Sequence, residues 1–159
     1  MTGQGATSRP PLAAHAFPRS GPGSGPAPTA PRLYLADDNA GLRASLCDLF
    51  ADAGVEVVGQ ARDSAEAIRQ IPPAAYERPL VVLMDVRMPG PVNGIEATRL
   101  VLDRCEHVAV IIFTAFPGSG IEQAARSAGA VELLAKGCPA ETILDAVTRA
   151  WSGMVPVAS

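Results

Sequence analysis

Two short stretches, Leu-Val-Val-Leu-Met at residues 80–84 and Val-Ala-Val-Ile-Ile-Phe at 108–113, constrain this chain more than any other feature. Both are apolar at every position and too short for an ordinary helix. A strand with no polar side must be covered on both faces, as central strands of parallel sheets are. Three further apolar runs, 32–36, 55–60 and 131–135, alternate with segments of helical spacing at 40–53, 64–71, 94–105, 119–128 and 139–151. Leu42, Leu46, Leu49 and Phe50 recur on one helical face, as do Ile95, Thr98, Leu102 and Cys105. Pro139 suits the first turn of its helix, and Gly54 and Gly129 suit helix C-terminal stops. Five strand–helix units in succession predict an α/β fold: a doubly wound parallel sheet with right-handed crossovers and helices on both faces.

Length and composition fit that fold and exclude several functions. The 159 residues suffice for one domain, nearly half of them are apolar, and the net charge is -3. Mild acidity argues against nucleic acid or an anionic membrane as a direct partner. No apolar run reaches the roughly 18 to 20 residues of a spanning helix. Arg9 and Arg19 precede no hydrophobic signal core, so the expected location is cytoplasmic. Residues 1–31 hold seven prolines, much Gly, Ser and Ala, and no acid. Such a segment cannot bury enough apolar surface to offset its ordering entropy, and a disordered tail is expected there. The folded domain is expected over 32–153, with a short tail at 154–159. Cys47, Cys105 and Cys138 lie too far apart for a zinc site or disulfide framework; the first two read as small buried hydrophobes and a redox role for Cys138 is disfavoured. His15 and His107 have no second ligand nearby in sequence.

In open parallel sheets, ligands bind beyond the carboxyl ends of the strands, where strand order reverses. Asp37 and Asp38 follow the first strand, Asp85 the third, Thr114 the fourth and Lys136 the fifth, so all five should converge on one rim. Lys136 is the only lysine, against twelve arginines, and a compact ammonium suits a single phosphate oxygen better than a guanidinium fork. Three gathered carboxylates repel one another unless a cation intervenes. Oxygen-only ligands without His or Cys select a hard ion such as Mg²⁺. An aspartate can attack phosphorus to form an aspartyl-phosphate, with Lys136 and Thr114 placed to meet the phosphoryl oxygens. Taken singly, these residues have plainer readings: Asp37 and Asp38 with Asn39 as a helix cap, Asp85 as a strand-end turn residue. Their order on one rim favours the joint reading.

The chain resembles the receiver domains of bacterial two-component response regulators. The likeness rests on Ala-Asp-Asp-Asn at 36–39, Met-Asp-Val-Arg-Met-Pro-Gly at 84–90, Phe-Thr-Ala at 113–115 and Ala-Lys-Gly at 135–137, and spans roughly residues 32–153. It implies a flavodoxin-like sheet with strand order 2-1-3-4-5. It implies that Asp85 is the phosphoacceptor, charged by a histidine kinase, a phosphotransfer protein or a small phosphodonor. Asp38 and Asp85 would bind Mg²⁺ directly with the Arg87 carbonyl, and Asp37 mainly through water. Thr114 and Lys136 would hold the phosphoryl group and couple it to the face of the fourth and fifth units, where a downstream protein or a second copy would dock. The implied molecule is a phosphorylation switch rather than a conventional enzyme, catalysing only its own phosphorylation and dephosphorylation.

The chain also departs from the family pattern. Gly-Pro-Val-Asn between Pro89 and Gly94 makes that loop one residue longer than usual. Leu133 stands where many receivers carry an aromatic, Gly137 replaces a common proline, and Pro139 comes too late to substitute for it. Arg87 and Phe116, two residues beyond Asp85 and Thr114, are expected either to shield the phosphoryl group from water or to point into solvent. Trp151 admits two readings, a partner or dimer surface and the apolar core. Four alternatives stand beside this reading. A dehalogenase-like phosphatase would need an acid where Arg87 stands, and a flavodoxin-like cofactor binder a phosphate loop where Asp37 and Asp38 stand. A phosphorylation-independent interaction module is the third. For the fourth, a DNA-binding regulator, no helix-turn-helix or basic stretch follows Trp151, so a stand-alone receiver is expected.

Overall fold

The two apolar runs pair with each other at the middle of a five-stranded parallel sheet. The computed structural model describes residues 30–75 and 78–155. The proline-rich stretch 1–29 and residues 156–159, both expected as tails, lie outside the described residues. In chain order the elements are β1 (Arg32–Ala36), α1 (Ala40–Asp52), β2 (Glu56–Ala61), α2 (Ser64–Ala75), β3 (Leu80–Met84), α3 (Gly94–Arg104), β4 (Val108–Thr114), α4 (Ser119–Ala128), β5 (Glu132–Ala135) and α5 (Ala140–Met154). The strand order is β2-β1-β3-β4-β5 and every pair is parallel, as the family resemblance implied.

Period-two alternation in the central strands divides the core in two. Val82, Met84, Val110 and Ile112 face Ala67, Ile71, Ala97, Val101 and Ala125 of α2, α3 and α4. Val81, Leu83, Ala109, Ile111 and Phe113 face Leu46 and Phe50 of α1 and Ile143, Val147 and Trp151 of α5. Of the residues read as helical faces, Leu46, Phe50, Thr98, Leu102 and Cys105 are buried, while Leu42, Leu49 and Ile95 pack at the core margins. Cys47 is half-buried, and burial with the neighbouring Asp48 charge pushes its thiol pKa up, as suits a packing residue.

Several boundaries differ from expectation, each for a local reason. Val55 is not in β2, because its amide closes the end of α1 on the Phe50 carbonyl at 2.9 Å. β5 begins at Glu132 rather than Val131, and β4 runs on through Thr114. α2 continues past Ile71 through Pro72 and Pro73 to Ala75. Those prolines remove amide donors, but Pro72 and Ala75 are buried. The buried Arg32 guanidinium donates to the carbonyls of Ala74, Arg78 and Pro79 at 3.2–3.3 Å, satisfying the end of the helix. Pro139 is the N-cap of α5 rather than part of its first turn. α5 runs three residues past Trp151 because Met154, 1% exposed, completes its apolar face. Trp151 itself is only 6% exposed, so it belongs to the core and not to a partner surface.

Candidate functional site

The backbone register of the sheet fixes the rim before any side chain is considered. The Asp37 amide donates to the Ala61 carbonyl at 3.0 Å, the Asp85 amide to Ala36 at 2.9 Å and the Lys136 amide to Thr114 at 2.8 Å. Each functional residue is thereby tied to the end of a neighbouring strand. Gly94, the first residue of α3, lets this happen: its amide donates to Val86, and a Cβ there would fall 1.7 Å from the Asp85 carbonyl oxygen. Asn39 alone caps α1, accepting from the Leu42 amide at 3.0 Å. Of the three residues in the cap reading, Asn39 fills the cap position, and Asp37 Oδ1 accepts from the Asn39 amide at 2.8 Å, bracing the turn into the helix.

Asp37, Asp38 and Asp85 each bring one carboxylate oxygen to within 4.8 Å of the others. Asp37 and Asp85 are buried and Asp38 is exposed, beside a cleft of about 640 Å³ walled by residues 86–93. The Lys136 Nζ stands between the buried pair, 2.7 Å from Asp37 Oδ2 and 3.2 Å from Asp85 Oδ2. Burial raises the Asp85 pKa and the Asp37 charge adds to it, while Lys136 and the Arg87 amide pull the other way. Burial alone would lower the Lys136 ammonium, but the bonds and charges of Asp37 and Asp85 outweigh it and hold its pKa above the usual lysine value. One ammonium shared by two buried carboxylates leaves negative charge in excess. An oxygen-only acidic cluster of this kind fits a hard divalent cation.

Thr114, the last residue of β4, is buried at the same rim, and its Oγ1 accepts from the Phe116 amide at 3.2 Å. The Arg87 amide donates to Asp85 Oδ1 at 3.3 Å. The Arg87 guanidinium lies 4.7 Å from the centre of the Phe116 ring, so the two side chains bridge the β3–α3 and β4–α4 loops as a cation–π pair. Phe116 is 63% exposed, so its ring projects largely into solvent while resting against the Arg87 guanidinium. Thus all the expected site residues, Asp37, Asp38, Asp85, Arg87, Thr114 and Lys136, come together at one edge. Sequence reasoning missed Arg43, which donates to the Asp37 carbonyl at 2.5 Å and to Gln60 Oε1 at 3.0 Å, locking the end of β1 to β2. No motif announces it; only the packing of α1 beside β2 does. Sequence reasoning also missed that Lys136 binds Asp37 more closely than Asp85.

This fold, a five-stranded parallel sheet with an acidic rim at its carboxyl edge, is that of a known family. The family model of the response regulator receiver domain matches residues 33–148, and the chain belongs to that family. It is 31% identical over 121 residues to the transcriptional regulatory protein PdtaR of Mycobacterium tuberculosis, covering 76% of this chain and 57% of PdtaR. It is 32% identical over 128 residues to the response regulator UvrY of Escherichia coli, covering 80% of this chain and 57% of UvrY. The chain therefore spans under two thirds of the length of these relatives. Among solved structures, a LuxR-family response regulator from Aurantimonas superposes with a TM-score of 0.72 at 29% identity, covering 79% of this chain and 87% of that one. The protein is a response regulator receiver domain of two-component signalling. Among the described residues, no helix is long and apolar enough to cross a membrane.

Proposed function

We propose that this receiver is a Mg²⁺-dependent phosphorylation switch with Asp85 as the phosphoacceptor. The observation that carries it is the position of Lys136, held between two buried carboxylates on the rim that also bears the Thr114 hydroxyl. An ionised Asp85 oxygen attacks phosphorus, the bond from phosphorus to the donor's histidine nitrogen or acyl oxygen breaks with its electron pair leaving on the donor, and an aspartyl-phosphate forms. Asp38, Asp85 and the Arg87 carbonyl would hold the metal, with Asp37 acting through water. A bound Mg²⁺ would supply positive charge to offset the acidic cluster and the phosphoryl oxygens. Lys136 exchanges a carboxylate partner for a phosphoryl oxygen, and Thr114 donates its hydroxyl proton in a hydrogen bond to another. Because the Thr114 oxygen also accepts from Phe116, that exchange draws on the β4–α4 loop. The result is a population shift rather than substrate turnover.

Output then passes to the face of α4, β5 and α5. There a groove of about 210 Å³ is lined by Glu122, Ala125, Arg126, Ala130, Val131, Glu132 and Leu133, and Val131 is 43% exposed. A downstream protein or a second copy of the chain would meet it there, without direct contact to nucleic acid or membrane. The setting proposed is the bacterial cytoplasm, with a histidine kinase or phosphotransfer protein as donor. A tenfold change in partner affinity needs only about 1.4 kcal/mol of differential stabilisation. Leu133 supports a different output route from that of receivers with an aromatic there. It is half-buried against the core on the α4 side, so the signal runs through the Thr114–Phe116 segment. Titration with beryllofluoride in Mg²⁺, followed by amide NMR, tests the switch. Shifts at Thr114 through Phe116 and along α4 are expected, and an unchanged spectrum would mean the rim is not a phosphoryl site.

A further inference from the structure

The β3–α3 connection makes a second set of contacts away from the acidic cluster. α2 opens on a tightly bonded turn: the Asp63 carboxylate accepts from the Glu66 amide at 2.8 Å, and the Glu66 carboxylate accepts from the Arg62 amide at 3.0 Å. Gln70 braces this turn from behind, donating to Glu66 at 3.2 Å and accepting from the Tyr34 hydroxyl at 2.5 Å. Ser64, the first residue of α2, is completely buried. Its amide is one of the donors that a helix start leaves without an intrahelical partner. It donates to the Pro89 carbonyl at 3.0 Å, and the Ser64 hydroxyl oxygen accepts from the Val92 amide at 3.5 Å.

Gly90 lies between those two contacts. Its φ is +126°, and a Cβ there would fall 2.2 Å from the Ser64 Oγ and 3.1 Å from the Ser64 nitrogen. Residues 89–92 are therefore seated directly on the start of α2, and no other residue type fits at position 90 without displacing one partner. Arg87, two residues before this segment, has its amide bonded to Asp85. Otherwise the connection is tied near its two ends, by the Asp85 amide to Ala36 and the Gly94 amide to Val86.

We infer that Ser64 is a positioning residue for the ion site: by seating residues 89–92 on α2, it fixes where the Arg87 backbone stands relative to Asp85. This rests on the reading of the acidic rim as a Mg²⁺ site. Groups that orient metal ligands from outside the ligand set commonly change affinity by about 10–100-fold when removed. A loop already held in place loses less freedom when the ion arrives. The same contact joins α2 to the site, so a change in how α2 packs would alter ion affinity.

The test is Mg²⁺ titration of the full chain by calorimetry and amide NMR, for the parent, Ser64→Ala and Gly90→Ala. Ser64→Ala removes the acceptor for Val92 while keeping the Pro89 bond, and Gly90→Ala drives a methyl group into Ser64. The expected result is Mg²⁺ affinity about tenfold weaker in both, with the Arg87 and Val92 amides shifted in the ion-free protein. Combining Gly90→Ala with Ser64→Gly should recover part of the affinity, because the clash with the hydroxyl is relieved. Parent-like affinity in both single variants, even with a lowered Tm, would reduce Ser64 to a packing role and overturn the inference. Failure of the parent itself to bind Mg²⁺ would instead sink the site reading and, with it, the inference. Should Ser64→Ala fail to fold, Gly90→Ala on the exposed loop carries the same comparison.

Discussion

Asp85→Asn should make the ion-free protein more stable, because the geometry that suits Asp85 to phosphoryl transfer is costly to the fold. Asp85 is 4% exposed, and taking a carboxylate that far out of water costs several kcal/mol after relaxation. At an effective dielectric of about 20, its attraction to Lys136 at 3.2 Å is worth about 5 kcal/mol, while repulsion from Asp37 within 4.8 Å cancels at least about 3.5 kcal/mol. Asp38 adds a smaller, screened repulsion. The residue attraction does not cover the burial cost, which agrees with an Asp85 pKa raised by burial and by Asp37. An asparagine keeps the shape and still accepts from the Arg87 amide. The expected gain is about 1–3 kcal/mol at neutral pH without Mg²⁺, several degrees in Tm, read by urea and thermal denaturation. The pH dependence has a fixed sign. A carboxyl with a raised folded-state pKa destabilises the fold above that pKa, so the advantage of Asp85→Asn is present at neutral pH. It shrinks as pH falls through the folded pKa towards the unfolded value. A variant that is less stable than the parent at pH 7, or whose advantage grows on acidification, would refute the reasoning.

Lys136→Met should lose phosphoryl uptake and destabilise the ion-free protein by about 3–5 kcal/mol, since two buried carboxylates lose their counter-ion; added Mg²⁺ should restore part of that, as measured by denaturation with and without the ion. The raised Lys136 pKa means that the stability it contributes is present at neutral pH and is lost as pH rises through that pKa, above the ordinary lysine value, whereas Lys136→Met should be insensitive there. The double variant Arg87→Ala, Phe116→Ala tests whether this exposed pair shields the phosphoryl group from water. Its aspartyl-phosphate should decay faster than the parent's, and an unchanged half-life would show that the pair excludes no water. Trp151→Ala should cost about 3–5 kcal/mol as a core deletion, with no change in self-association by sedimentation.

The sequence carried most of the fold because the strongest signals are local. β3 and β4 are apolar on both sides and could be read almost to the residue, and the five rim residues follow from strand ends plus one rule about parallel sheets. The misses are tertiary. The helical spacing of α2 ends at residue 71 in the sequence, whereas the structure carries the helix through Pro72 and Pro73 to Ala75, where the Arg32 guanidinium from β1 meets the Ala74 carbonyl. Trp151 stayed ambiguous because a helical pattern does not say which flank meets a neighbour; the burial of Ile143, Val147 and Met154 decides it. Within the site, residue identities were legible but pairings were not. Nothing in the order of residues says that Lys136 bonds Asp37 at 2.7 Å, that Arg43 fastens the end of β1, or that Ser64 receives the β3–α3 loop.

Intact-mass analysis after incubation with acetyl phosphate shows whether Asp85 accepts a phosphoryl group. A gain of one phosphoryl group is expected that requires Mg²⁺ and disappears in Asp85→Asn, while Arg87→Ala, Phe116→Ala still acquires it. Phosphoryl uptake that persists in Asp85→Asn, or that ignores the removal of Mg²⁺, would mean that Asp85 is not the phosphoacceptor of a Mg²⁺-dependent site. So would failure to gain mass from either acetyl phosphate or a phosphorylated histidine donor.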